Sequence, residues 1–164
     1  MPDYPPPNFE RKIITADALA ARLTQLPRPL VFTNGCFDIV HRGHVTYLAQ
    51  ARALGASLLV GVNSDASVRR QGKGEDRPIN SEGDRLAVLA ALESVSAVTL
   101  FDADTPLDLI LQVRPDVLVK GGDWPVERIV GAAEVLGWGG QVHSIPFLHS
   151  RSTTALLARI RARS

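Results

Sequence analysis

The chain has one cysteine in 164 residues, so no intramolecular disulfide framework can hold it, and a reducing compartment suits it. It has no strong charge of either sign. Eighteen basic residues face seventeen acidic ones, for a formal net charge of +1, and no broad basic field draws it to nucleic acid or membrane. No apolar run approaches a membrane span. Residues 1–8 carry four prolines but no apolar stretch of the signal-peptide kind, and they read as a loose tail or as an arm on a partner subunit. No internal repeat is visible. These absences leave one cytoplasmic domain over residues 15–164 behind a tail of residues 1–14, with 45% apolar residues for an ordinary core.

What is present is an alternation of apolar runs and amphipathic segments. Strands are expected at 30–33, 57–62, 97–101, 116–119 and 141–145. Helices are expected at 15–26, from 45 to a C′ glycine at Gly55, from 82 to about 92, after Asp104-Thr105-Pro106 with Leu107, Ile110 and Leu111 inward, at 126–136 and at 155–161. Ser81 with Asp84 three residues on resembles a capping box. The alternation predicts an α/β fold, a five-stranded parallel sheet with helices on both faces. Ligands of such sheets bind beyond the carboxyl ends of the strands. The unusual segments fall there: His41-Arg42-Gly43-His44, the long polar loop 63–80, Lys120-Gly121-Gly122-Asp123-Trp124 and Arg151-Ser152-Thr153-Thr154.

Each segment suits an anion. His41 and His44 lie three apart at a helix start, where unpaired N–H groups and the helix dipole favour phosphate, and Gly43 leaves the backbone uncovered. Solvent-facing loop histidines are the bland alternative. Zinc with Cys36 as a third ligand ranks last, because the spacing matches no recognised site. Lys73 between Gly72 and Gly74 can close a loop on phosphate, although Arg69 or Arg70 could substitute and a solvated basic loop is the ordinary alternative. Arg77 belongs to the same loop, and Arg85, on a helix, could equally be a surface residue. Asp38 is either a turn residue or a substrate ligand. Gly121 and Gly122 allow close backbone approach, Asp123 can hold ribose hydroxyls, and Trp124 can simply pack. The hydroxyls of Ser152, Thr153 and Thr154 are helix caps or phosphate ligands.

Gly35-Cys36-Phe37-Asp38 followed by His41-Arg42-Gly43-His44 resembles the GxFD and HxGH signatures of the cytidylyltransferase-like nucleotidyltransferases. Ser152-Thr153-Thr154 resembles the second signature of that superfamily. The resemblance runs from about residue 30 to the C-terminus and implies a Rossmann-like fold. Within the superfamily, Asp76-Arg77-Pro78-Ile79-Asn80, Val119-Lys120-Gly121-Gly122-Asp123 and Ser152-Thr153-Thr154 look most like the adenylyltransferase half of bacterial heptose enzymes. Arg151 departs from that subgroup, which often has a small or uncharged residue there.

The resemblance implies transfer of AMP from ATP, with Mg2+, to D-glycero-β-D-manno-heptose 1-phosphate, giving the lipopolysaccharide precursor ADP-heptose and pyrophosphate. His41, His44 and Lys73 would be catalytic. Asn34, Gly35, Cys36, Phe37, Gly43, Lys120, Gly121, Gly122, Asp123, Ser152, Thr153 and Thr154 would hold the nucleotide, and Asp38, Arg77 and Arg85 the acceptor. Read on its own surroundings, Cys36 is a small, partly buried residue without a base nearby. Expected partners are ATP, a sugar 1-phosphate and a second copy of the chain in a homodimer, with neither nucleic acid nor membrane. A cytidylyltransferase acting on glycerol 3-phosphate or a similar phospho-alcohol shares both signatures, and a nucleotide panel separates the two. A regulatory module would bind ATP without releasing pyrophosphate.

Overall fold

A computed structural model describes residues 4–72, 74, 76–149 and 153–162. Its parallel sheet runs through β1 (Ile13–Ile14), β2 (Leu30–Gly35), β3 (Ser57–Asn63), β4 (Ala97–Phe101), β5 (Val117–Gly121) and β6 (Gln141–Ile145), in the spatial order β1-β4-β3-β2-β5-β6. The sheet has six strands rather than five. The addition is β1, two residues at one edge, set Ile13 against Val98 and Ile14 against Thr99. Ile13 and Ile14 lie in the stretch read as a tail, where two apolar residues after a proline-rich run are too short a signal for a strand. The Thr99 hydroxyl donates to the Ile14 carbonyl at 2.9 Å and fastens that edge.

Alternate residues of the central strands serve opposite faces. Val31, Leu58, Val60 and Val62 pack with Tyr47, Leu48 and Ala51 of α2 (Arg42–Arg52) and with Leu89 and Ala90 of the later helix Glu82–Ala90. Leu30, Phe32, Leu59 and Leu118 pack on the other face with Leu19, Leu109, Ile110, Val113, Ala132 and Val135. Those residues come from α1 (Leu19–Leu23), α5 (Leu107–Val113) and α6 (Ala132–Gly137). Between them in the chain lie α3 (Asp65–Arg70) and α4, the Glu82–Ala90 helix, and α7 (Thr153–Arg161) comes last. The Ser81 cap forms: its hydroxyl accepts the Asp84 N–H and donates to the Asp84 carboxylate at 2.7 Å.

Four local expectations shift. Helix α1 is five residues long, not twelve, between an irregular entry and Pro27. Leu111 points outward, 48% exposed, while Leu109 and Val113 fill the interior. The segment expected as one helix over 126–136 is a 3-10 turn (Val126–Arg128) and then α6, separated at Gly131, whose φ of +85° no α-helix accommodates. Gly55 is not a left-handed cap; an added Cβ would meet the Pro29 carbonyl oxygen at 2.5 Å, so the glycine serves close packing onto the approach to β2.

The chain steps from β2 to β3 to β4 on one side, then returns to place β5 against the other edge of β2, with Val31 opposite Val117 and Phe32 opposite Leu118. Strand order reverses between β2 and β5. Their carboxyl ends therefore open a crevice at the switch point, the place where open α/β sheets bind ligands.

Candidate active site

The GCFD turn leaves β2 at Gly35 and delivers the chain to α2. Phe37 has φ +47°, rare for a bulky residue. Gly35 makes room for its ring, since a Cβ there would lie 2.9 Å from it. Helix α2 begins at Arg42, not Val45, so the whole HxGH string forms its first turn. His41 is the N-cap, extended at φ −139° and ψ 174°, and its Nδ1 accepts the Gly43 N–H at 3.1 Å. That bond leaves Nε2 to carry the proton of the neutral ring. An added Cβ at Gly43 would meet the His41 ring at 3.0 Å and the His149 carbonyl at 3.1 Å, a packing need beyond ligand access.

The two imidazoles stack, with centroids 3.9 Å apart and planes inclined at 22°. Phe37 stands edge-on to His44 at 5.3 Å and Phe147 at 6.2 Å. This casing pushes the His44 pKa down to about 4, through burial first and the neighbouring His41 second, while the Ile39 backbone pulls the other way. The buried His44 Nδ1 meets no acceptor of good hydrogen-bond geometry among the described residues. Burial thus favours the uncharged ring of His44 at neutral pH.

A cleft of about 180 Å³ lies against this turn. Asn34, Gly35, Cys36, Phe37 and Asp38 line it from β2 and the turn, and His44 and Tyr47 from α2. Arg77, Lys120, Gly121, Phe147 and Thr153 close the remaining sides. Ten residues anticipated from sequence thus meet at one opening. His41 sits one ring behind it, and Gly122, Asp123 and Thr154 lie beyond its walls, with Asp123 and Thr154 exposed. Lys73, Arg151 and Ser152 lie outside the described residues.

Asp38 is turned toward protein. Its fully buried carboxylate accepts Arg77 Nε at 2.5 Å, the Ile79 N–H at 2.9 and 3.0 Å on its two oxygens, and the Asn80 N–H at 2.9 Å. Asn80 Nδ2 returns a bond to the Asp38 carbonyl at 2.6 Å. Desolvation of the carboxyl opposes ionisation, but the Asn80 and Ile79 N–H groups and then Arg77 outweigh it, and the pKa lies below the usual carboxylate value. Both oxygens hold N–H groups of the protein, so Asp38 braces the Arg77 loop from the wall of the cleft. Arg85 also departs from expectation. It is neither on the surface nor in the cleft, but 1% exposed behind the turn.

Two residues that sequence reasoning passed over complete the wall. Tyr47 shares a hydrogen bond with the Thr33 hydroxyl and reaches the Val119 carbonyl at 3.4 Å. Phe147 lies edge-on to Tyr47 at 5.5 Å, in the space a Gly121 Cβ would need, 2.7 Å away. Tyr47 falls three residues after His44, so helical periodicity places it beside the imidazole. Phe147 carries no such signal, since its place depends on how the chain leaves β6. A second cavity of about 190 Å³ shares Asn34 and Lys120 with the first and extends past Trp124, Arg128, Ile129 and Val130. Gly122, at φ +116°, shapes this rim: its N–H donates to the Ile145 carbonyl at 2.9 Å, its carbonyl accepts Ser144 Oγ at 2.6 Å, and Trp124 Nε1 donates to the Gly121 carbonyl at 3.2 Å.

Fold and site together define a class: a doubly wound α/β protein with paired histidines at a helix N-terminus, open at the topological switch point. The family model described as cytidylyltransferase-like matches residues 32–152, and the chain belongs to that family. It is 58% identical to the D-beta-D-heptose 1-phosphate adenylyltransferase of Bordetella bronchiseptica, over 93% of this chain and 96% of that one. It is 59% identical to the bifunctional protein HldE of Pseudomonas aeruginosa over 82% of this chain, but spans 28% of that longer protein. Among solved structures, the lipopolysaccharide core biosynthesis protein of Thermoplasma volcanium superposes with a TM-score of 0.60 at 29% identity, over 74% of this chain and 98% of that one. No helix among the described residues is long and apolar enough to cross a membrane.

Proposed function

We propose that the protein is a nucleotidyltransferase that moves AMP from ATP to D-glycero-β-D-manno-heptose 1-phosphate, releasing pyrophosphate and ADP-heptose. The observation that carries this reading is near full-length identity of 58% to an adenylyltransferase of that name. The HxGH helix start and the β2–β5 crevice supply the means. A phosphate oxygen of the sugar attacks the α-phosphorus of ATP in line; the new P–O bond forms as the bond to pyrophosphate breaks. The acceptor phosphate is already ionised, so no strong general base is needed, and positioning with charge stabilisation supplies the rate.

In this reading the triphosphate lies along α2's first turn, with His44 and His41 as donors and Lys73, Lys120 and residues 152–154 on its other sides. The nucleoside enters the second cavity beside Trp124 and the Gly121–Gly122 backbone, and Arg77 faces the acceptor. Magnesium enters as part of Mg-ATP: the ion binds largely through phosphate oxygens and its own waters, and Asp38 has both oxygens committed to N–H groups. A cytoplasmic homodimer belongs to the same proposal. The test is pyrophosphate release across four nucleoside triphosphates with several sugar and polyol phosphates. ATP with heptose 1-phosphate should be fastest. CTP as the better donor would replace this reading with the cytidylyltransferase one, and ATP binding without turnover would leave a regulatory module.

A further inference from the structure

Arg85 reaches three segments that are separate in the chain. Its side chain is 0% exposed. Nη1 donates to the Cys36 carbonyl at 2.6 Å, Nη2 to the Asp65 carboxylate at 2.8 Å and Nε to the Asn80 carbonyl at 3.2 Å. These are the turn after β2, the first residue of α3 and the end of the loop that carries Arg77. A buried ion pair is a poor device for stability alone, because well-packed apolar side chains of similar volume often do as well or better. The retained guanidinium therefore points to geometry, and the geometry it sets belongs to the cleft.

A planar peptide directs its C=O and the following N–H to opposite sides. With the Cys36 carbonyl held on Arg85, the Phe37 N–H turns away from the guanidinium, and it has no protein acceptor among the described residues. Phe37 lines the cleft at φ +47°, a conformation that persists only where surroundings enforce it. Next to this turn, Asn80 gives its carbonyl to Arg85 and its N–H to Asp38, which in turn fixes Arg77. One planar fork thus ties the turn after β2 to the Arg77 loop beside it. Lysine, a single point charge, cannot span the three acceptors.

We infer that Arg85 is a positioning residue for nucleotidyl transfer: it touches neither substrate, and its fork fixes the Cys36–Phe37 peptide and the Arg77 loop at the separation the reacting phosphates require. This rests on the adenylyltransferase reading above. Arg85→Lys is the test, with pyrophosphate release at saturating Mg-ATP and heptose 1-phosphate, ATP affinity by calorimetry, and the melting curve measured together. Misplacement of reacting groups by about 1 Å costs on the order of a hundredfold. We expect kcat per folded molecule to fall at least about tenfold, with ATP affinity nearly unchanged. Wild-type kcat in folded Arg85→Lys, or a loss that merely follows the folded fraction, overturns the inference. Should Arg85→Lys fail to fold, Asp65→Asn decides, since it keeps the acceptor's shape and removes the charge that anchors the fork. A clear fall in kcat at unchanged ATP affinity supports the inference there, and an unchanged kcat overturns it. A wild-type chain that releases no pyrophosphate from any donor overturns the function and this inference together, whereas a normal wild type beside a normal variant overturns this inference alone.

Discussion

The two walls of the cleft are built by different physics. On the side of residues 36–38 and 76–85, buried charges hold everything: Asp38 binds Arg77 and two backbone N–H groups, and Arg85 binds two carbonyls and Asp65. On the side of residues 120–124, Phe147 and Thr153, missing side chains and aromatic rings do the work. Phe147 fills the volume Gly121 leaves, Trp124 folds over Gly122, and of α7 only Thr153 is buried. The first wall is fixed by bonds whose loss strands a charge, the second by shape. The first should therefore fail electrostatically and all at once, the second sterically and by degrees.

Asp38→Ala should break that comparison most severely. It strands Arg77 and two N–H groups in the interior, and removing one partner of a buried pair costs about 3–5 kcal/mol. Urea or thermal denaturation will show the loss, and a variant as stable as wild type would mean that the brace holds nothing. His44→Ala comes next: loss of one preorganised donor lowers rate on the order of a hundredfold. Under the proposed function kcat should fall far more than ATP affinity, and an unchanged kcat in folded protein would remove His44 from the chemistry. On the second wall Gly122→Val should weaken nucleotide binding without unfolding the domain, because φ +116° and Trp124 Nε1 at 2.7 Å from the new Cβ both resist it. Overpacking of this kind costs about 1–3 kcal/mol of stability, which a thermal melt reads, while calorimetry with ATP reads the weakened binding.

The remaining effect is in pH. His44 takes its proton near pH 6.5 when unfolded and at about 4 when folded, so protons favour the unfolded chain between those values. Stability on its account should decline as pH falls from 6.5 toward 4 and level off below. Asp38 acts in a lower window: its depressed pKa stabilises the fold above the ordinary value of 3.8, and that stability is lost as pH falls below it. Denaturant midpoints across pH will separate the two, since His44→Gln should flatten the upper slope and leave the lower one.

The sheet was readable because its strands are apolar runs covered on both faces, and the crevice because the unusual segments all follow strand ends. Residue roles on the charged wall were less readable. Asp38 and Arg77 were placed in the site, but that they spend their bonds on each other depends on how the 76–80 loop folds back, which no local pattern encodes. Arg85 did leave a trace: it lies four residues before buried Leu89, on α4's inward face, where helical periodicity expects an apolar side chain. A charge at such a position signals a buried partner. Strand β1 was lost because two residues form no period, and the break at Gly131 because an isolated glycine in a helical pattern has two meanings.

Under the proposed function, the low pKa of His44 bears on how the site lets go of pyrophosphate. A cation at the start of α2 would hold pyrophosphate through a charge–charge attraction that weakens only as salt screens it. A neutral imidazole instead offers a bond that water can match once the developing charge has passed to the solvent-borne product. Affinity contributed by this end of the cleft should therefore vary little with ionic strength. Under the proposed function, departure of the anion, rather than its capture, is the step that an uncharged His44 in its aromatic casing would make easier.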